Sequence, residues 1–124
     1  MPVDSTDLAR MYYRDMHSQL RDKFESLISI KTAIDILQQA NIPFIMTWTD
    51  QLLWETECHC PPMIAWLQAQ ARPYVMSFDG LNFVQWSRLK GFDISETMHP
   101  LEQAHQAAAD LIMHRWNQYL CHSA

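Results

Sequence analysis

The sequence predicts a small α/β unit of three layers, in which helices flank a short parallel sheet. Residues 43–49 form a short aromatic and β-branched run that is typical of a buried strand, and residues 74–78 form a second. A helix predicted between them implies that the two strands are parallel, because parallel strands need a crossover connection. The chain has 124 residues, of which 48% are apolar. This length and composition suit a single domain, residues 1–124, with one modest core.

The first predicted helix starts at a capping residue, Ser5 or Thr6, and continues without glycine or proline to Asn41. Between positions 20 and 37 the apolar residues recur at helical spacing and form one stripe. Asn41 and Pro43 are typical helix stop signals. The stretch is either one long helix or two helices with a bend, since the average helix has about 11–12 residues.

The later elements follow from prolines and from helical spacing. We expect a helix over residues 61–71, because the two prolines at its start suit a first helical turn. Residues 79–80 are predicted to be a loop or turn, residues 82–89 have weak helical character, and residues 91–100 are predicted to be a loop. The proline that ends this loop opens a final helix, whose apolar residues continue at helical spacing to position 120.

A parallel sheet of two strands is very small, because parallel sheets are covered on both faces. Its exposed edge would invite pairing with a second chain. We therefore expect a homo-oligomer, most simply a dimer.

The two glycines, Gly80 and Gly91, exclude several catalytic and nucleotide-binding motifs. A dinucleotide fingerprint needs three glycines close together, a phosphate-binding loop needs two near a lysine, and a nucleophile elbow needs two around a serine. The net charge is −5, and no cluster of Lys or Arg is present, so we expect no nucleic-acid partner. No apolar run reaches the roughly 20 residues that span a bilayer, so we expect no membrane partner.

Charge and cysteine content also bear on the environment of the chain. Basic side chains of the first helix, Lys23 among them, alternate with acidic ones, as on a solvated helix face. The N-terminal residues lack the basic and apolar regions of a signal peptide. Three cysteines cannot all pair with one another, and reduced thiols are the expected state. We therefore expect a cytoplasmic protein.

The sharpest chemical pattern is the block Glu96-Thr97-Met98-His99-Pro100. A carboxylate three residues before a histidine, in a loop that opens a helix, can accept a hydrogen bond from the imidazole and hold one tautomer. This arrangement is typical of the acid–base half of a hydrolase triad.

The same block resembles the C-terminal motif of the SGNH (GDSL-like) esterase/acylhydrolase family, where Asp-x-x-His-Pro precedes a second His or Tyr, here His105, and an Ala-rich final helix. The stretch that begins at Asn41 is similar to the family's step into a late sheet strand. The resemblance covers about residues 20–120 and implies part of an SGNH-hydrolase (flavodoxin-like) fold. It implies that His99 is the general base and Glu96 its orienting carboxylate, with Asp93 as the alternative carboxylate.

The sequence departs from this family at the groups that would react. It has no Gly-Asp-Ser motif and no glycine placed for an oxyanion hole, and Glu96 stands where the family has Asp. Loss of the nucleophile and oxyanion donors leaves little catalysis. The resemblance thus implies a hydrolase-like chain that acts on a small-molecule ester only if another chain supplies the serine. The alternative is a non-catalytic, self-associating structural or interaction module.

A second candidate site is the sequence Cys58-His59-Cys60, because thiolate and imidazole are good zinc ligands. Cys121 and His122 could complete a ligand set. The spacing, however, differs from the usual Cys-x₂₋₄-Cys, and adjacent side chains diverge. A surface loop with one buried cysteine is the preferred interpretation, and we predict no metal and no cofactor.

Overall fold

A computed structural model describes residues 5–16, 18–49 and 51–123. Within these residues it contains five α-helices, which are α1 Ser5–Met11, α2 Gln19–Gln39, α3 Pro62–Ala71, α4 Phe83–Leu89 and α5 Glu102–Ser123. A π-helical segment and two 3₁₀ turns complete the helical structure, at Tyr12–Met16, Gln51–Leu53 and Arg72–Tyr74. No helix in the described part of the chain is both long enough and apolar enough to cross a bilayer.

The prediction of a small three-layer α/β unit with a short parallel sheet, resembling part of an SGNH-hydrolase (flavodoxin-like) fold, is wrong. The described residues form no strand and no sheet, and the protein is helical there. The predicted strands 43–49 and 74–78 meet at a single parallel bridge, between Met46 and Val75. One backbone hydrogen bond accompanies this bridge, from the amide of Met76 to the carbonyl of Met46 at 2.8 Å.

The second of these segments lacks the backbone groups that a longer ladder would need. It begins with the 3₁₀ turn Arg72–Tyr74 and ends where Phe78 and Leu81 exchange two N–H···O bonds of 2.9 and 3.0 Å. The intervening Asp79 and Gly80 have φ angles of 53° and 82°, the left-handed pair required by a two-residue type I′ turn. The predicted turn at 79–80 is therefore confirmed. The sheet edge from which a homodimer was argued does not form among the described residues, and the dimer itself stays a prediction.

The chain divides into two compact units. The first unit comprises Met1–Ala40 and Leu52–Arg72, and the second comprises Asn41–Gln51 and Pro73–Ala124. The long predicted N-terminal helix is two helices in the first unit. Ser18 caps α2, because its extended backbone breaks the helical path and its hydroxyl accepts a hydrogen bond from the amide of Arg21 at 3.3 Å.

The core of the first unit lies between α2 and α3. Its buried apolar side chains are Leu27, Ile34, Trp54, Ile64, Leu67 and Ala71. Lys23, predicted to lie on a solvated face, is only 8% exposed, and its ammonium donates to the carbonyls of Glu55 at 2.6 Å and Cys58 at 3.2 Å. The buried amide of Gln68 donates to the carbonyls of Leu53 and Glu55, each at 3.0 Å. These two polar side chains hold the loop between the 3₁₀ turn and α3 against the helices.

The second unit is built around α4 and α5. Phe78, Trp86 and Ala108 form its buried cluster, and the partly buried side chains packed on them are Met76, Leu81, Phe83, Phe92, Ala107, Leu111 and Ile112. The predicted helices over 61–71, over 82–89 and at the C-terminus are confirmed. The last begins at Glu102 instead of Pro100, because Pro100 pairs with Ile94 in an isolated bridge. Asn41, the predicted stop of α2, has a φ of 53°, which suits the residue after a helix C-cap.

Candidate functional site

The segment from Ser95 to His99, here called the 95–99 loop, closes on itself in front of α5. The amide of Ser95 donates to the carbonyl of His99 at 2.9 Å, and the amide of His99 donates to the hydroxyl of Ser95 at 3.1 Å. The amide of Met98 donates to the carbonyl of Ser95 at 3.0 Å. Met98 has a φ of 67°, in the left-handed region that L side chains rarely adopt. The loop is therefore held in one conformation by its own hydrogen bonds.

The conformation of this loop determines which side chain contacts the His99 ring. The Oγ1 atom of Thr97 lies 2.9 Å from Nδ1 of His99, and the hydroxyl of Ser95 lies 3.0 Å from the same Thr97 oxygen. Glu96 is exposed and, within the described residues, makes no hydrogen bond or ion pair with His99. The structure therefore places a neutral hydroxyl, not a carboxylate, at Nδ1.

Asp93, the alternative carboxylate, also lies away from the imidazole in the described hydrogen bonds. Its backbone carbonyl accepts from the amide of Leu101 at 3.0 Å and so fixes the entry to α5. The catalytic roles of His99 and Glu96 stay predictions.

His99 lies in the wall of an open cleft within the second unit, here called the His99 cleft, with a volume of about 600 Å³. Small-molecule sites typically have roughly 300–1,000 Å³. The cleft is lined by three basic side chains, Arg88, His99 and His105. Neutral polar residues of the lining are Thr49, Gln51, Asn82 and Gln85. Its apolar residues are Phe83, Val84, Met98 and Pro100.

Residues at the start of α4 form a second wall of the cleft, and hydrogen bonds fix their side chains. The side chain of Asn82 accepts from the amide of Gln85 at 2.8 Å, and the side chain of Gln85 accepts from the amide of Asn82 at 3.1 Å. This reciprocal pair is a capping box, which satisfies two otherwise orphaned amides. The side-chain amide of Gln85 also donates to Gln51. Both cleft walls are thus fixed by hydrogen bonds within the second unit.

Two basic residues of the cleft lie on different helices. Arg88 is exposed near the end of α4, and one of its terminal nitrogens contacts the sulfur of Met98 at 2.9 Å. His105 is exposed in α5, and its ring makes an edge-type contact with the ring of Phe83, with 5.1 Å between centroids. Sequence reasoning noted His105 only through the family resemblance and missed Arg88. A single arginine near a helix end carries no sequence signal that separates it from an ordinary surface charge.

The residues proposed for a metal site have other surroundings. Cys58 is exposed, His59 has a left-handed φ of 51°, and the thiol of Cys60 contacts Oε1 of Gln68 at 3.6 Å. Cys121 is exposed on α5. Across the described residues, no three His, Cys, Asp or Glu side chains are grouped so that they could hold a metal ion.

Comparison with known proteins gives no match: no family model, no curated protein and no solved structure corresponds to this chain. The resemblance to SGNH hydrolases therefore still depends on the sequence motif around His99.

Proposed function

We propose that the chain is a non-catalytic binding module and that it holds a small organic molecule in the His99 cleft. The observation that carries this proposal is the placement of His99, fixed through Thr97 on the wall of a cleft of about 600 Å³. A mixed lining of apolar surface with a few fixed polar groups is typical of sites for small molecules. Hydrogen bonds of the capping box and of the 95–99 loop fix this lining, which lowers the entropic cost of binding.

The backbone of Met98 also supports the proposal. A non-glycine residue in the left-handed region costs about 1–3 kcal/mol, and such residues cluster at functional sites. Met98 adopts a φ of 67° and its side chain lines the cleft. The strain is offset by the hydrogen bonds between Ser95 and His99, which keep the imidazole in place.

Binding without turnover is supported by the partner of the imidazole. In a serine-hydrolase triad a carboxylate at Nδ1 stabilises the imidazolium that forms during catalysis. Here Nδ1 meets the hydroxyl of Thr97, which carries no negative charge. An ester substrate would find no comparable stabilisation of the charged ring.

The proposal is tested by mapping ligands on the ¹⁵N-labelled full chain with a mixture of small aromatic and polar fragments. We expect amide shifts at Val84, Arg88 and His99 when a fragment binds. Val84→Trp should fill the cleft and abolish these shifts. Leu89→Trp is the matched control, because Leu89 is on the same helix, is 71% exposed and does not line the cleft. Shifts that persist in Val84→Trp, or that lie outside the cleft, would contradict the proposal.

A further inference from the structure

We infer that the ligand of the His99 cleft is a small oxyanion, a carboxylate or a phosphate monoester on an aromatic or apolar body; this inference rests on the proposed function. Arg88, His99 and His105 all line the cleft, and no Asp or Glu side chain of the described residues does. Three carboxylates lie between Arg88 and His105 in the sequence, and none is part of the lining: Asp93, Glu96 and Glu102. Arg88 is therefore the one fixed charge among the described residues of the lining, and it is positive.

Arg88 is the strongest anion-binding group in the cleft. Within the described part of the chain its guanidinium forms no ion pair, and its contact is with the sulfur of Met98, a weak acceptor. Guanidinium presents two parallel N–H groups that match the two oxygens of a carboxylate or phosphate. An oxyanion would therefore provide Arg88 with the acceptor that its own chain does not supply.

The hydroxyl of Thr97, itself in contact with that of Ser95, engages Nδ1 of His99 and leaves Nε2 available to a ligand. The hydroxyl of Ser95 accepts from the amide of His99, so its own proton can go to Thr97, whose proton then goes to Nδ1. With this direction of donation, which is one of the two that the contacts allow, the neutral ring carries its proton on Nε2. No described residue bonds to Nε2, which is therefore a donor for an anion whether the ring is neutral or charged.

The rest of the lining indicates what carries the anionic group. The rings of Phe83 and His105 pack in an edge-type arrangement, with 5.1 Å between their centroids and an interplanar angle of 64°. Val84, Met98 and Pro100 add further apolar surface. A ligand with a flat apolar body would cover these side chains while its oxyanion reaches Arg88.

The test is a titration of the folded, full-length chain with three probes of similar size: benzoate, phenyl phosphate and neutral benzamide. Hydrogen bonds to charged groups stabilise a complex more than neutral ones do. We therefore expect one of the anions to bind with a Kd at least about tenfold lower than that of benzamide. Arg88→Gln should weaken binding of the anions far more than binding of benzamide and so remove that preference. Lys90→Gln is the matched control, because it removes a neighbouring exposed positive charge that does not line the cleft.

The outcomes separate this inference from the proposed function. Tighter binding of benzoate than of phenyl phosphate would identify the anionic group of the ligand as a carboxylate. The reverse order would identify it as a phosphate. Benzamide bound as tightly as both anions, or an equal loss in Arg88→Gln and Lys90→Gln, would overturn the inference and leave the proposed function standing. Absence of binding by all three probes would overturn both. His99→Gln gives a second readout, since it should also reduce the preference for the anion.

Discussion

The hydroxyl of Thr97 lies 2.9 Å from Nδ1 of His99, and this contact orients the imidazole on the wall of the cleft. The hydroxyl of Ser95, at 3.0 Å from Thr97, continues the chain of polar contacts back to the loop backbone. A histidine held in this way has one nitrogen engaged and one available. Orientation by a neutral group suits a binding role better than acid–base catalysis.

Replacement of Thr97 tests this relationship. In Thr97→Val the imidazole loses its partner, so we expect the ¹⁵N shift of Nδ1 to move toward that of a water-exposed ring and benzoate to bind more weakly. Thr97→Ser keeps the hydroxyl and should resemble the wild type in both respects. Because the contact is exposed, the free energy of unfolding should change by less than about 1 kcal/mol. An unchanged Nδ1 shift in Thr97→Val would show that this hydroxyl does not hold the ring.

Ester hydrolysis distinguishes the binding role from the role implied by the hydrolase resemblance. We expect His99→Ala to lower the rate of p-nitrophenyl acetate hydrolysis no more than His114→Ala does, because no carboxylate of the described residues contacts the His99 ring. The rate is followed by absorbance, with His114→Ala as a control for background attack by an exposed imidazole outside the cleft. Saturable hydrolysis that disappears only in His99→Ala and falls in Glu96→Gln would favour the hydrolase role.

Lys23 stabilises the first unit through backbone carbonyls. In Lys23→Met the carbonyl of Cys58 loses its donor, while that of Glu55 keeps the one from Gln68. Hydrogen bonds to charged groups contribute about 1.5–3 kcal/mol each, and we expect a loss of that order in urea unfolding followed by circular dichroism. Arg21→Met is the control on the same helix: loss of its exposed ion pair with a glutamate four residues on should lower the free energy of unfolding far less than Lys23→Met does. Equal losses in the two variants would contradict a special role for Lys23.

The type I′ turn gives a prediction that depends on backbone conformation alone. A Cβ atom at Gly80 would meet no atom within 4 Å, but the φ of 82° is unfavourable for L side chains. We expect Gly80→Ala to destabilise the chain by about 1–2 kcal/mol in thermal unfolding. Gly80→Asn should destabilise the chain less than Gly80→Ala, because asparagine tolerates the left-handed region. A Gly80→Ala variant as stable as the wild type would show that the turn is not required.

Local signals in the sequence predict the helices correctly, but they also predict a sheet that does not form among the described residues. Prolines at the start of α3 and the helical spacing of α5 are properties of the segment itself, and both helices form as predicted. The runs 43–49 and 74–78 have strand-like composition, yet a strand also needs a partner backbone over several residues. The amide of Phe78 and the carbonyl of Phe78 are both used by the turn to Leu81, so the ladder stops after one bridge.

The candidate site could be predicted only in part for a similar reason. His99 stands out in the sequence because a carboxylate, Glu96, precedes it by three residues in a loop that opens a helix. Its partner could not be read from spacing, because the left-handed Met98 and the closure of the loop by Ser95 decide which side chain reaches the ring. Arg88 comes from a different helix, and its proximity to the loop is a property of the folded unit.

The central claim is that a small anionic molecule occupies the His99 cleft. The most direct measurement is a set of intermolecular nuclear Overhauser effects between bound benzoate and the ¹³C-labelled chain. The account predicts contacts from the benzoate ring protons to the side chains of Phe83 and Met98. Contacts confined to residues outside the cleft, at concentrations where binding is saturated, would contradict it.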